Sequence, residues 1–368
     1  MIRFLARCKK HLVIFIIDLV ALLCCIPLLC AENSIKEKAY SQQEGSRWNT
    51  KDVVSHQVSA FWPSSTGINR AQISGIRASI QKSMLDASFG EDRNGDALWT
   101  DAYAAMTTDS VTIMKQGIGT SGKENVRILG VGGDFFLFHP LDMMYGSVFR
   151  PEDVMHDRIV LDKETAWELF GGYDIAGMRV EIAGKPFLVA GVYEMPENSF
   201  SKKATDGRSF VFIDHSAFQN LYQEIPITCY EAVLPNPVRS FAKDRLQDAT
   251  GGENSDAVIL DNESRFTGRD LFARFSDIEQ LLMQKNAVVY PYWENEMRAR
   301  EWRVFILMMI RFLFLMPPLV SLIFALWSLI RRYGKDILRK VWYDAKERIR
   351  RLSEKKIRQR VSFEDEDF

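Results

Sequence analysis

Two apolar runs frame the chain, with a long stretch of mixed pattern between them. Leu12 to Ala31 is broken only by Asp18 and Pro27, and Val304 to Ile330 is interrupted by Arg311 and by Pro317-Pro318. At about 1.5 Å of rise per residue each is long enough to cross a hydrocarbon core of about 30 Å, so both are expected to be membrane helices. Between them the period changes repeatedly. Val53 to Trp62 reads as a strand, and Ile73, Ile76, Ile80 and Met84 recur at helical spacing within Ile68 to Met84. Ala97 to Lys115 holds one or two strands. Val126 to Val131 is a strand that turns on Gly132-Gly133, and Arg158 to Leu161 is another. Lys163 to Phe170 is a short helix stopped by Gly171-Gly172. Arg179 to Ile182 and Phe187 to Val192 are joined by a link too short for a helix, which predicts a hairpin. Further on, Ser209 to Ile213, Cys229 to Leu234, Ala257 to Leu260 and Ala287 to Tyr290 are expected strands. Asp214 to Gln223, Val238 to Gln247 and Arg269 to Lys285 are expected helices, the last with Leu271, Phe275, Ile278 and Leu282 inward. A long helix from about Glu294 runs into the second apolar run. Strands with helices, a β-rich middle, then strands with helices again define an α+β arrangement.

Charge sets the expected topology. The chain has 368 residues, 47% of them hydrophobic, and a net charge of −1, which excludes a globally basic nucleic-acid binder. Arg3, Arg7, Lys9 and Lys10 precede the first apolar run, and thirteen Lys and Arg residues follow Ile330. The positive-inside rule therefore puts residues 1–11 and 331–368 in the cytoplasm, spans at 12–31 and 304–330, and residues 32–303 outside the cell membrane. Arg298, Arg300 and Arg303 flank the second span on the outer side, where Glu294, Glu296 and Glu301 interleave with them. A cleaved leader is the competing reading of the first run. Its apolar stretch is longer than the ~7–15 residues usual for a leader, and Leu29-Cys30-Ala31 lacks a small residue at its first position. Cys8, Cys24, Cys25 and Cys30 lie in or beside the first run, so Cys229 stands alone outside and is expected to be buried, with no intrachain disulfide partner there.

The stretch from Val126 to Glu194 carries a resemblance. Gly133-Asp134-Phe135-Phe136, Gly146 with Phe149 and Asp153, the Ala166…Leu169-Phe170-Gly171 helix end, Asp174-Ile175-Ala176-Gly177 and Phe187…Val189-Ala190-Gly191-Val192 stand in order. Together they resemble the MacB-like periplasmic core domain of FtsX-type ABC transporter permeases. The resemblance implies a porter-like extracytoplasmic domain with an inserted β-rich subdomain, about 126–213, flanked by two transmembrane helices. It also implies a permease-like subunit that couples a cytoplasmic ABC ATPase partner to the outer domain for export or mechanotransmission. Such permeases have four membrane helices where this sequence shows two. The expectation is thus either a half-permease completed by a companion permease, or a membrane-anchored extracytoplasmic binding or regulatory module. A cell-envelope enzyme is the rival of a different class.

Candidate chemistry is sparse. Gly117-Ile118-Gly119-Thr120-Ser121-Gly122-Lys123-Glu124 imitates a phosphate loop, but such a loop opens a helix and needs Ser or Thr where Glu124 stands. A strand follows instead, so a glycine-rich hairpin is expected. His11, His56, His139, His156 and His215 show no paired ligand spacing, and no nucleophile motif is present, so no catalytic residue, cofactor or metal site is expected. Two ionisable residues inside the spans, Asp18 and Arg311, are candidate polar contacts. Their depths differ by at least ~10 Å, which argues against a direct pair. In the tail, Leu338, Trp342, Ile349 and Leu352 fall on one helical stripe, and Arg348, Arg350 and Arg351 lie beside it. That stripe either docks on a partner subunit or lies on anionic membrane lipid.

Overall fold

The computed structural model describes residues 2–39, 42–48, 53–89, 97–117, 122–275, 284–285 and 288–364. They form two compact units, Asn33–Ile306 and the joined end segments Met1–Glu32 and Leu307–Phe368.

In the larger unit, five strands make an antiparallel sheet in the order β11 (Val258–Asp261), β1 (Ser55–Phe61), β10 (Cys229–Pro235), β2 (Thr100–Met106), β4 (Gly122–Gly133). Strict alternation gives the sheet two apolar faces, as period-2 side chains require. Tyr230, Ala232 and Leu234 of β10 point to one side, with helices α3 (Arg70–Asp86) and α8 (Phe241–Ala249). Cys229 and Val233 point to the other, with α4 (Phe135–Phe138) and Trp293. The four apolar residues of the 68–84 pattern, Ile73, Ile76, Ile80 and Met84, are all buried. A capping box closes the start of α3: Asn69 accepts from the Gln72 amide and Gln72 reaches back to the Asn69 amide, an arrangement worth ~1 kcal/mol.

The β-rich part closes on itself. From β4 the pairing passes to β3 (Val111–Lys115), β7 (Arg179–Ile182), β8 (Lys185–Glu194), β6 (Arg158–Asp162) and β9 (Ser209–Asp214). A parallel ladder, Val126↔Ser209 to Val131↔Asp214, then returns it to β4. Each of the six strands gives a core residue: Ile113, Val126, Val180, Val189, Ile159 and Val211, none more than 1% exposed. Helix α5 (Lys163–Phe170) adds Ala166 and Leu169 to that core and ends on Gly171 at φ 67°, the left-handed geometry that glycine adopts without strain. The ring therefore begins at Val111, earlier than the β-rich segment read from the sequence. Strand β5 (Asp142–Gly146) pairs outside it, on β8. Helices α6 (Ser199–Thr205) and α7 (His215–Leu221) flank β9, and α2 (Glu44–Trp48) precedes β1.

The two hairpins read from the sequence are present. β7 and β8 pair Ile182↔Lys185 across Ala183-Gly184, both at positive φ as a tight two-residue turn needs. β3 and β4 pair Ile113↔Lys123 and Met114↔Gly122, so the glycine-rich loop joins two strands, and its residues 118–121 lie outside those described. One helix is shorter than its period implied. α9 spans Gly268–Phe275, whereas Gln284–Lys285 (β12) pairs with Val288–Val289 (β13). That ladder takes the backbone groups a helix extending to Lys285 would have used. Leu271 is buried as expected. The Phe275 side chain and residues Ile278 and Leu282 fall outside the description.

Helix α1 (Ile2–Glu37) and helix α10 (Tyr292–Glu364) contain the two apolar runs, and both are long and apolar enough to cross a membrane.

Candidate functional site

The sequence order around the start of α10 reads as charge next to charge, Glu294, Glu296, Arg298, Arg300, Glu301. The fold buries nearly all of it. Arg265, in the loop after β11, is fully buried and inserts between two carboxylates of the helix. Its Nη1 and Nη2 donate to Glu294 Oε2 and Oε1, both at 3.0 Å, and its Nε donates to Glu301 Oε1 at 2.5 Å. Arg298 Nε donates to Glu294 Oε1 at 2.8 Å, while its guanidinium lies 3.8 Å from the centre of the Tyr290 ring. Two cations thus face two anions in a dry setting. Burial alone would pull the Arg265 guanidinium down, and Glu294 and Glu301 more than reverse this, holding it firmly charged.

The polar chain continues through the sheet. Arg265 Nη1 donates to Asn262 Oδ1 (3.3 Å), Asn262 Nδ2 to Ser59 Oγ (2.8 Å), and Ser59 Oγ to Glu231 Oε1 (2.7 Å). Gln57 Nε2 donates to the same Glu231 oxygen at 3.3 Å. The other Glu231 oxygen meets His139 Nε2, and that imidazole lies against Trp293, tilted by 37° with centroids 4.4 Å apart. Alternation places these groups here: Gln57, Ser59 and Glu231 occupy the face of β1 and β10 that receives Trp293. Arg300, the next arginine along the helix, donates to Glu296 and to the Ile35 carbonyl. Ser201 Oγ donates to the second Glu296 oxygen at 2.8 Å.

Beside this network lies a mostly apolar cavity of about 730 Å³, walled by His139, Leu141, Met195, Phe200, Trp293 and Arg300. His139 Nδ1 and Trp293 Nε1 are buried, with no hydrogen-bond partner among the described residues. Such a concave, largely apolar space with a few polar groups is what a small apolar or amphiphilic ligand needs.

Among the described residues, one set of side chains has a donor set suited to a metal ion: His56, Asp261 and Glu263, at the sheet edge. His56 Nδ1 is 3.0 Å from each Asp261 oxygen, and Glu263 Oε2 accepts the Gln57 amide at 2.6 Å. Burial pushes the Glu263 carboxyl up to about 8.

The residues singled out from the sequence fall elsewhere. In the unit formed by the end segments, Arg311 Nη1 lies 3.2 Å from Glu32 Oε2, and Cys25 Sγ is 3.9 Å from the Arg311 carbonyl. Glu32 is 1% exposed although it follows the apolar run directly, so Arg311 has a local anion that the depth comparison with Asp18 overlooked. Asp18 is half-buried and has no hydrogen bond or ion pair among the described residues. Leu338, Arg348, Ile349, Arg350, Arg351 and Leu352 lie on α10, but their side chains are outside those described; Trp342 is exposed, with Lys346 over its ring. The i, i+4 pairs Glu294–Arg298 and Glu296–Arg300 were legible as spacing. Arg265 gave no signal, because its partners stand 29 and 36 residues away.

A mixed α/β unit whose sheet runs into a closed strand ring, with a candidate membrane-spanning helix at each end of the chain, is the class of protein these features define. The sequence matches the MacB-like periplasmic core domain across residues 51–241, and the chain belongs to that family. It is 30% identical over 105 residues to the macrolide export ATP-binding/permease protein MacB of Agrobacterium fabrum, a match that covers 28% of this chain and 15% of that protein. Two solved structures are similar. One is the extracellular domain of the noncanonic ABC-type transporter YknZ from Gram-positive bacteria, at 15% identity over 56% of this chain and all of that one. The other is the periplasmic region of MacB from Actinobacillus actinomycetemcomitans, at 14% identity over 59% of this chain and 93% of that one. Both have a TM-score of 0.39, so the family assignment rests on the sequence match.

Proposed function

We propose that this chain is the extracytoplasmic and membrane-helix part of an ABC-type transporter, moved by a cytoplasmic ATP-binding subunit, and that it acts in transport and not as an enzyme. The observation that carries the reading is helix α10, whose first turns are held in the larger compact unit by Arg265 and which continues into a long apolar segment. A buried, bidentate guanidinium resists sliding better than apolar packing does, because any displacement strands three charges away from water. A pull on α10 therefore reaches the sheet through Arg265, Asn262 and Ser59. In this reading both termini are cytoplasmic and residues 32–303 lie outside. Arg298 and Arg300 oppose that orientation little, because each is buried beside its own glutamate.

The tail of α10 is the proposed contact with the ATP-binding subunit or a companion permease, through Leu338, Trp342, Ile349 and Leu352. Arg348, Arg350 and Arg351 would serve attachment to anionic lipid. Replacing Trp342 and Ile349 together by Ala tests this: co-purification of the ATP-binding subunit should be lost while the protein stays in the membrane. Retention of the subunit, with surface attachment weakened only by changing the three arginines to Gln, would sink the docking reading. Reporters after Phe368 and in the Gly251-Gly252 turn should report opposite sides of the membrane.

The 730 Å³ cavity favours a second reading, a membrane-anchored binding module whose ligand enters beside Trp293 and Phe200. Specific binding of an apolar probe that persists without any ATP-binding subunit, and is lost in Phe200→Asp, would favour it.

A further inference from the structure

We propose that His56, Asp261 and Glu263 bind one divalent transition-metal ion, with zinc the best fit, at the open edge of the sheet. The β1–β11 ladder pairs Val58 with Asp261, so His56, two residues before Val58, lies on the same face as Asp261 just beyond the end of β11. The pairing is carried onward by the Asn262 amide, which donates to the Gln57 carbonyl at 2.9 Å, and by the Gln57 amide on Glu263. Backbone geometry thus brings His56 to two carboxylates that stand more than 200 positions further along the chain.

Their spacing fits a metal. All the donor atoms lie within 4.8 Å of one another, and His56 Nδ1 is 3.0 Å from both Asp261 oxygens. Two donors each ~2.1 Å from a metal are ~3.0 Å apart at a right angle and ~3.4 Å apart at the tetrahedral angle. The His56–Asp261 edge therefore already has the required span, and the Glu263 donor lies within 4.8 Å of both. Glu263 Oε1 is a second, independent sign. It is buried with no hydrogen-bond partner among the described residues, and Gly45 packs so closely there that a Cβ would stand 2.2 Å from it. A buried carboxylate oxygen without a donor is rare in folded proteins, and a cation satisfies it.

The donors select the ion class. One imidazole nitrogen and two carboxylates neutralise a 2+ charge and suit zinc or its first-row neighbours, whereas calcium and magnesium want more oxygen ligands. The His56 side chain is the more open edge, 20% exposed against 8% for Asp261, so a further ligand comes from solvent. The ion would clip the 261–265 turn, which carries both Asn262 and Arg265 to the start of α10.

The test uses the full chain in detergent, stripped with a chelator and titrated with Zn²⁺ by calorimetry and with Co²⁺ by visible absorption. Wild type should bind one ion that Asp261→Asn, Glu263→Gln and His56→Gln each weaken by at least about tenfold. The Co²⁺ spectrum should lack a sulfur charge-transfer band, which separates this site from the cysteines. Zinc at about a hundredfold excess over Kd should raise the wild-type Tm by about 5 °C and leave that of Glu263→Gln unmoved. Glu263→Gln keeps the shape of the side chain, and circular dichroism of the metal-free proteins checks folding; should it fail, His56→Gln carries the comparison. Equal zinc affinity and stoichiometry in wild type and variants, or no binding, would overturn the proposal and leave the cluster as a metal-free hydrogen-bonded clamp.

Discussion

Single residues fix where this fold is sensitive. His215 is 4% exposed, packs against the Tyr103 ring at 5.2 Å, and has no partner for Nδ1 among the described residues. Burial lowers its pKa to about 4, with Asp214 opposing and Arg70 adding to the shift. The unfolded chain takes up a proton near 6.5 that the folded imidazole refuses until about 4, so stability falls as pH drops through this window. The loss amounts to at most about 3 kcal/mol. His215→Phe should flatten that acid limb in urea titrations between pH 7 and 4, and an unchanged slope would refute the assignment. Gly132 is a steric counterpart. A Cβ there would stand 2.3 Å from the Tyr103 ring, so Gly132→Ala should destabilise by about 1–3 kcal/mol, measurable as a lower urea midpoint. Neither effect was legible beforehand: the sequence shows a histidine next to Asp214 and a glycine pair, but not the tyrosine of β2 that both contact.

Elements came through better where local pattern decides them. The helix ended by Gly171, the Ala183-Gly184 hairpin, the buried isoleucine face of α3 and the buried Cys229 follow from spacing and turn chemistry alone. Closure of the ring was hidden, because the β4–β9 ladder joins residues about 80 apart and parallel pairing leaves no turn signal. The grip on α10 was hidden for the same reason. Arg265→Met should leave Glu294 and Glu301 buried with fewer partners and cost about 3–5 kcal/mol in chemical denaturation. Adding Glu301→Gln should recover part of that loss. A loss below about 1 kcal/mol would mean the helix is not anchored through Arg265. Lys123→Ala, by contrast, removes only the partly exposed pair with Glu168 and should change stability by less than about 1 kcal/mol.

For the whole molecule, the unit boundary has a practical meaning. A fragment of residues 33–306 keeps Glu294, Glu301 and the Arg300 contact with Ile35, all within the larger unit. A fragment of residues 45–292, which starts after Ile35 and stops before Glu294, cuts them away. The longer fragment should be soluble with one cooperative melt, and the shorter should melt lower or fail to fold. Equal Tm values would show that the start of α10 contributes nothing to the domain.

The twelve-residue β4 belongs at once to the open sheet and to the ring, with β2 or β3 on one side and β9 on the other. Its amides between Val126 and Val131 alternate between the two sides, so the strand as a whole is freed only when both assemblies open. β11, by contrast, is four residues long and, among the described residues, pairs with β1 alone. In native-state hydrogen–deuterium exchange the two strands should mark opposite ends of a stability scale, with β11 trading protons through local fraying and β4 only through global unfolding. Under mild denaturant the ring should persist as a cooperative foldon after the outer sheet has begun to exchange, a gradient within one continuous sheet that a single melting curve would conceal.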